Sequence, residues 1–354
     1  MMVQHSAEAD EFYKRFFSGS GDKRYLYGIN EYSESIARVI KIDGFIDDYT
    51  EKKIWLDTPV LKFSGIGRDS MVVACTTSNY THSVINKIRA AGISSYIDYI
   101  SLADASHGAL SQVKAIADTR ADHEAHAKEY AWLRKRLFDD RSRAEFDRLM
   151  DFRLAGNIRA MECFEYAAER QYFEPFAPLD KGEVFIDGGG FDGFTALTFA
   201  ARCPEYAAIH FFEPAPAVMA VAKEKLKALG RVYYHQAGLF DRPATINFDA
   251  SAGSASRISG SGSEQIEVVR LDDAVEEAVS FIKLDLEGAE LVALQGMERH
   301  ICNDHPQLAV AVYHHPSDFW RIPQFILGLR DDYNIYLRHY TEGWAETVMF
   351  FIPR

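Results

Sequence analysis

Short apolar runs that stop at an acidic residue recur along this chain. Val184-Phe-Ile ends at Asp187, Ala208-Ile-His-Phe-Phe ends at Glu213-Pro214, and Phe281-Ile-Lys-Leu ends at Asp285. Runs of this length and composition predict strands. After the first run, Thr195, Ala196, Leu197, Phe199, Ala200 and Ala201 predict a helix. After the third, Leu291, Leu294 and Met297 repeat at helical spacing. The same alternation is present upstream: strands at 24–28, 44–48 and 71–75, with helices at 32–40 and 79–91, the last ended by Gly92. Alternating strands and helices predict an α/β protein built on parallel sheets. From about 106 to 170 the pattern changes to helix-prone, charged and glycine-poor sequence, with Leu133, Leu137, Phe146, Leu149, Met150 and Phe152 placed to line buried faces. The predicted organisation is therefore an N-terminal Rossmann-like domain over 1–105, a helical connector over 106–175 and a second α/β domain over 176–354.

The turns after these strands carry the chemistry. Asp187-Gly-Gly-Gly-Phe-Asp192-Gly193 lets the backbone reverse sharply and lets a ligand approach closely. The carboxyl ends of parallel strands are where open α/β sheets bind nucleotide-like ligands. A GxGxxG match is formally present over Gly188, Gly190 and Gly193, but two carboxylates, Asp187 and Asp192, would repel a pyrophosphate. They suit a ligand with a sulfonium and an ammonium group, and Asp187-x-Gly189-x-x-x-Gly193 is the pattern of S-adenosylmethionine sites. Glu213, 26 positions past Asp187, is placed to accept both ribose hydroxyls. Asp285 and Glu287 share a face at the third strand tip, where they would hold a metal, orient an acceptor or bind the amino-acid part of the donor. Glu290 reads as a first-turn acid complementing the helix dipole.

Together, Ile186–Gly193, Phe211–Pro214 and Ile282–Glu298 resemble the FkbM-type methyltransferases, a branch of the class I S-adenosylmethionine-dependent enzymes. Val269–Asp273 resembles a family strand, Ala309–His315 the fifth strand with its terminal histidine, and Leu337–Tyr340 with Glu346–Phe351 the closing hairpin. The resemblance spans about 142–353. It implies a class I methyltransferase sheet, mostly parallel with a C-terminal antiparallel hairpin, that methylates a hydroxyl of a sugar, glycoside or secondary-metabolite acceptor. The expected donor contacts are Asp187, Gly188, Gly189, Asp192, Gly193, Thr195, Glu213, Tyr172, Asp285 and Glu287. Tyr172, just before the first strand of this domain, would lie over the donor's adenosine or methionine part. His314 is the expected general base, because histidine titrates near neutrality. His315 is its alternative, and Asp285 would orient the acceptor. A divalent metal is compatible with these acids but is not predicted, because the set of oxygen ligands is incomplete.

Two other functional classes remain open at this level. One is a nicotinamide-dependent oxidoreductase, against which the two turn carboxylates argue. The other is a non-catalytic nucleotide- or sugar-binding protein. In the N-terminal half, Gly28-Ile-Asn30-Glu-Tyr-Ser33 stands where a full GxGxxG would, with Asp47 at a ribose-acid distance. Two glycines are replaced, so this domain reads as a degenerate one used for acceptor recognition or dimerisation. His123 and His126 share a helical face without a third metal ligand. The tract 249–263, rich in glycine and serine, reads either as a lid, in which Arg257 would contact an acceptor carboxylate or phosphate, or as a mobile linker with no role.

Composition narrows the picture. A net charge of −13 over 354 residues argues against nucleic acid or an anionic membrane as partner. The expected partner is a small acceptor, with a homodimer left open. The first residues carry acids and no apolar core, so no signal peptide is expected. Cys75, Cys163, Cys203 and Cys302 lack metal or disulfide spacing, which suggests reduced thiols and a cytoplasmic protein.

Overall fold

The computed structural model describes residues 7–19, 21–249, 257–258 and 264–354, with backbone alone at 248–249, 257–258 and 264. The chain divides into two compact units. One comprises Met1–Ala125, Asp147–Tyr166 and Tyr340–Ala345; the other comprises His126–Phe146, Ala167–His339 and Glu346–Arg354. Residues 106–175, expected as one connector, are thus shared between the units. They contain a helix over Lys114–Arg136, whose dihedrals break at His126, and a second helix over Asp140–Ala155.

The first unit is built on a six-stranded sheet. Arg24–Tyr27 pairs in parallel with Gly44–Ile46 on one side and Met71–Ala74 on the other. Thr58–Leu61 and Ser95–Asp98 extend the sheet in parallel, and Ile54–Trp55 adds an antiparallel edge. Tyr25, Tyr27, Ile46 and Val72 pack there with Val84, Ile85 and Ile88 of the helix Thr81–Ala90.

The second unit contains a seven-stranded sheet. Its strands are β1 (Val184–Gly188), β2 (Ala208–Phe212), β3 (Val232–His235), β4 (Phe281–Leu284), β5 (Gln307–Ala311), β6 (Tyr333–His339) and β7 (Thr347–Pro353). They lie in the order β6-β7-β5-β4-β1-β2-β3. Strands β1 to β5 pair in parallel, and β7 runs antiparallel to both β5 and β6. The strand order reverses beside β1, between β2 and β4, which makes the tips of these three strands the place for a ligand. The flanking helices are α1 (Phe194–Arg202), α2 (Pro216–Leu226), α3 (Glu290–Gln295) and α4 (Asp318–Leu329). A smaller sheet pairs Gly238–Leu239, Glu264–Val269, Ala244–Asp249 and Arg257–Ile258. Apart from the 257–258 backbone, the lid expected over 249–263 lies largely outside the described residues, as does any contact of the Arg257 side chain.

One expected strand segment is corrected. The run 269–273 leaves the sheet at Val269, and Leu271–Ala274 forms a short helix instead. There the Asp272 carboxylate accepts the backbone N–H groups of Arg299 and His300.

The core beneath the site is aromatic. Phe185 of β1 stacks on Phe199 of α1 with ring centres 4.3 Å apart and lies 5.2 Å from Phe281 of β4. Phe173 closes the same cluster. Because all three strand and helix rings are fully buried, Phe185→Ala is expected to cost about 3–5 kcal/mol of unfolding free energy, measured by urea denaturation.

Candidate active site

The glycine turn after β1 is required by sterics. Gly189 has φ +70°, and a Cβ there would lie 1.9 Å from the Asp285 carbonyl oxygen. A Cβ on Gly190 would lie 2.1 Å from the Phe211 ring. The turn therefore sits directly against the tips of β2 and β4. It is fastened from below by Lys283, whose Nζ donates to the carbonyl oxygens of Gly188 (3.1 Å) and Gly189 (2.7 Å). Lys283 and Asp187 are cross-strand partners, with Nζ 3.2 Å from Oδ1 and both side chains buried. Burial pushes the Asp187 carboxyl up, while the lysine charge holds it down.

Two of the expected donor residues have partners within the protein. Asp187 spends its charge on Lys283 beneath the turn. Asp192 accepts the backbone N–H of Phe194 and pairs with Lys225 at the start of α1. Neither lines the pocket, and neither do Gly188, Gly193 and Thr195. Gly193 begins α1 with φ +84°, a backbone conformation that favours glycine.

The pocket runs across the strand tips. Its walls include Gly189 and Phe191, the strand-end group Phe212–Ala215, and the apolar side chains of Leu239, Ile266, Val268 and Leu286. Asp285 and Glu287 stand at its other side. Glu213 accepts the backbone N–H groups of Phe191 (3.2 Å) and Ala215 (2.8 Å). Burial nevertheless pushes its carboxyl up.

Asp285 is held by two phenols. The Tyr172 hydroxyl donates to Oδ2 at 2.6 Å, and the Tyr313 hydroxyl to Oδ1 at 3.4 Å. Gln171 donates to both Tyr172 Oη and Glu346 Oε2, at 2.9 and 2.5 Å. Tyr172, at φ +71°, thus positions Asp285. It does not line the pocket over which it was expected to lie.

His314 lies beyond the end of β5 and faces three carboxylates. Nε2 is 3.2 Å from Glu287 and 3.6 Å from Asp285, and Nδ1 is 2.9 Å from Glu290. Burial works against a charged ring here, but Glu290, Glu287 and Asp285 together raise its pKa well above the ordinary value. Such a shift favours the protonated ring, whereas a general base acts from the unprotonated one. Glu290 does more than complement a helix dipole. It is fully buried, accepts the Leu286 N–H at 2.7 Å and holds His314. His315 lies apart from this cluster: its Nε2 packs against Gly288, where a Cβ would approach to 2.5 Å. Among the described residues, Asp285, Glu287 and His314 form the group of three whose ligand atoms converge, all within 4.8 Å of one another.

In the first unit, the residues at the corresponding strand tip are used internally. Asn30 accepts the N–H groups of Tyr32 and Ser33 and donates to the Cys75 carbonyl. Asp47 accepts those of Tyr49 and Thr50.

Residues 187–338 match the Methyltransferase FkbM domain. The chain carries an FkbM methyltransferase domain. It is accordingly an enzyme of the S-adenosylmethionine-dependent methyltransferase class. A methyltransferase FkbM from Methylobacillus flagellatus KT shares the fold at 21% identity, with TM-score 0.76 over 98% of this chain and 93% of that one. An rRNA methylase from Streptococcus thermophilus is more distant, at 13% identity and TM-score 0.35 over 49% of this chain and 89% of that one. No curated protein matches this methyltransferase. No described helix is long and apolar enough to cross a membrane.

Sequence reasoning passed over Lys283 and Glu346. A lysine inside an otherwise apolar buried strand was the available signal for the first. The second lies just before β7 in the closing hairpin, where nothing in the local sequence signals its buried partners.

Two predictions follow from these buried charges. Lys283→Met leaves Asp187 without its partner and is expected to cost about 3–5 kcal/mol in chemical denaturation, with Lys283→Met/Asp187→Leu recovering much of the loss. Glu346 has its carboxyl pushed up from 4.5 to about 7, first by burial and then by Asp285. The folded state therefore favours its protonated form, and that contribution fades as pH rises from about 4.5 through about 7. Relative to Glu346→Gln, the wild type should lose on the order of 3 kcal/mol across this window, read as diverging thermal midpoints.

Proposed function

We propose that this site transfers the methyl group of S-adenosylmethionine to a hydroxyl oxygen of a small acceptor: a sugar, a glycoside or a related secondary metabolite. One observation carries the reading. A single pocket joins an apolar cleft, a ribose-type carboxylate and a cluster of acids at adjacent strand tips. Adenine would lie between Leu239, Ile266, Val268 and Leu286, with Glu213 accepting the ribose hydroxyls. Gly189 allows close approach of the chain leading to sulfur. Asp285 and Glu287 would face the cationic end and the incoming acceptor.

The donor's methyl is already activated by the sulfonium, so much of the catalysis is alignment of the acceptor oxygen with the methyl carbon. The remaining demand is removal of the hydroxyl proton, which falls to the Asp285–Glu287–His314 cluster. His314 serves there only after it has lost the proton its carboxylates hold. A positive charge arriving among those carboxylates weakens that hold and favours the loss. Four unpaired cysteines support work in a reducing, cytoplasmic setting.

Isothermal titration tests the donor assignment. S-adenosylmethionine should bind and NAD should not, and Glu213→Ala should weaken the donor by at least about tenfold, the loss of charge-assisted hydrogen bonds. No binding of the methyl donor to folded protein would overturn the reading. Transfer of labelled methyl to a panel of glycosides should fall by about 10²-fold or more in His314→Ala.

A further inference from the structure

The three converging side chains present a mixed donor set, and one of them is unsatisfied. The His314 side chain is only 9% exposed, and its ring nitrogens meet carboxylates at ion-pair distance without well-aligned hydrogen bonds. Its Nε2 points between Glu287 Oε2 and Asp285 Oδ1 at ion-pair distance, outside hydrogen-bond geometry. A nitrogen aimed at two carboxylate oxygens, with no bond made to either, leaves room for an atom that all three can share.

The surroundings hold these ligands in place. Glu290, fully buried and fixed by the Leu286 N–H, stands at Nδ1. A carboxylate 2.9 Å from Nδ1 favours the ring proton there, which leaves the Nε2 lone pair to a metal. Tyr172 and Tyr313 orient Asp285. Glu287 adopts φ +52°, followed by Gly288 at φ +99°. Non-glycine residues in that region are strained and cluster at ligand sites. The charge balance is also one-sided: three carboxylates surround one imidazole.

We propose that Asp285, Glu287 and His314 bind a divalent cation, with Glu290 as the positioning residue behind the histidine. One imidazole with two carboxylates favours Mn²⁺ and its first-row neighbours over Ca²⁺, which prefers oxygen alone. Three protein ligands leave coordination positions for the acceptor. When the cation is bound it takes the place of the proton on Nε2, and His314 then assists removal of the acceptor proton as a ligand. An acceptor hydroxyl bound to the cation gives up its proton more readily, and that proton leaves to solvent. The oxygen then forms a bond to the methyl carbon as the carbon–sulfur bond breaks, and that bond's electron pair stays on sulfur as a neutral thioether.

This inference rests on the methyl-transfer reading for its chemistry, but the site itself is testable alone. The full chain, stripped with EDTA and desalted, is titrated with Mn²⁺ while free Mn²⁺ is followed by electron paramagnetic resonance. One equivalent should bind, and the bound ion should show ¹⁴N modulation from an imidazole. His314→Gln should abolish that modulation, and Glu290→Gln should weaken Mn²⁺ by about 10–100-fold. Both variants should still bind S-adenosylmethionine in EDTA within a few-fold of wild type, which separates ligation from general unfolding. Wild-type protein that leaves Mn²⁺ free, or binds it without ¹⁴N modulation, overturns the proposal. Donor binding with no Mn²⁺ binding would sink the metal site and leave the methyl-transfer reading intact. Mn²⁺ binding without donor binding would do the reverse.

Discussion

The second unit depends on a charge pair placed where charges are costly. Lys283 and Asp187 face each other across β4 and β1, both out of water. Two such groups repay their desolvation only when geometry and further hydrogen bonds are good. Here the lysine also receives two backbone carbonyl oxygens from the glycine turn. One side chain thus neutralises the acid, pins the turn and registers the two strands whose tips build the site. Strand β4 carries Asp285 next to that anchor, so the site's floor and its reactive edge share one support.

Above that floor the arrangement reverses. Negative charge is left in excess around His314, and Glu346 and Asp318 retain protons to limit it. Asp318 is pushed up to about 8, first by burial and then by Glu290. Glu346 and Asp318, with Asp285, Glu287 and Glu290, make the surroundings of His314 strongly acidic. Leu239, Ile266 and Val268 line the pocket with apolar surface. One pocket therefore presents apolar and acidic groups together.

Much of this was legible in the sequence because strand tips write themselves as apolar runs ending in acids. Strands β1, β2 and β4 followed from such runs, β5 and the closing hairpin from the family resemblance, and Glu213, Asp285, Glu287 and His314 fell at or near strand ends. What stayed hidden were partnerships across space. Asp187 and Asp192 look alike in a glycine turn, but one is answered by a lysine 96 positions later and the other by a surface lysine on α2. Glu290 reads as a helix-start acid until β5 brings His314 beside it. Tyr172 reads as an aromatic lid, but its hydroxyl finds Asp285 first. Periodicity reports which face is buried; it does not report which buried groups meet.

The segment that matches the family stops short of the groups that shape the site. Gln171 and Tyr172 precede it and Glu346 follows it, and together they steer Asp285 from outside. A protein cut to the matched residues would keep the recognisable motifs and lose the hydrogen-bond frame that aims them. The boundary of shared ancestry and the boundary of a working pocket are different lines on this chain. Relatives that differ only outside the motif can therefore differ at its centre.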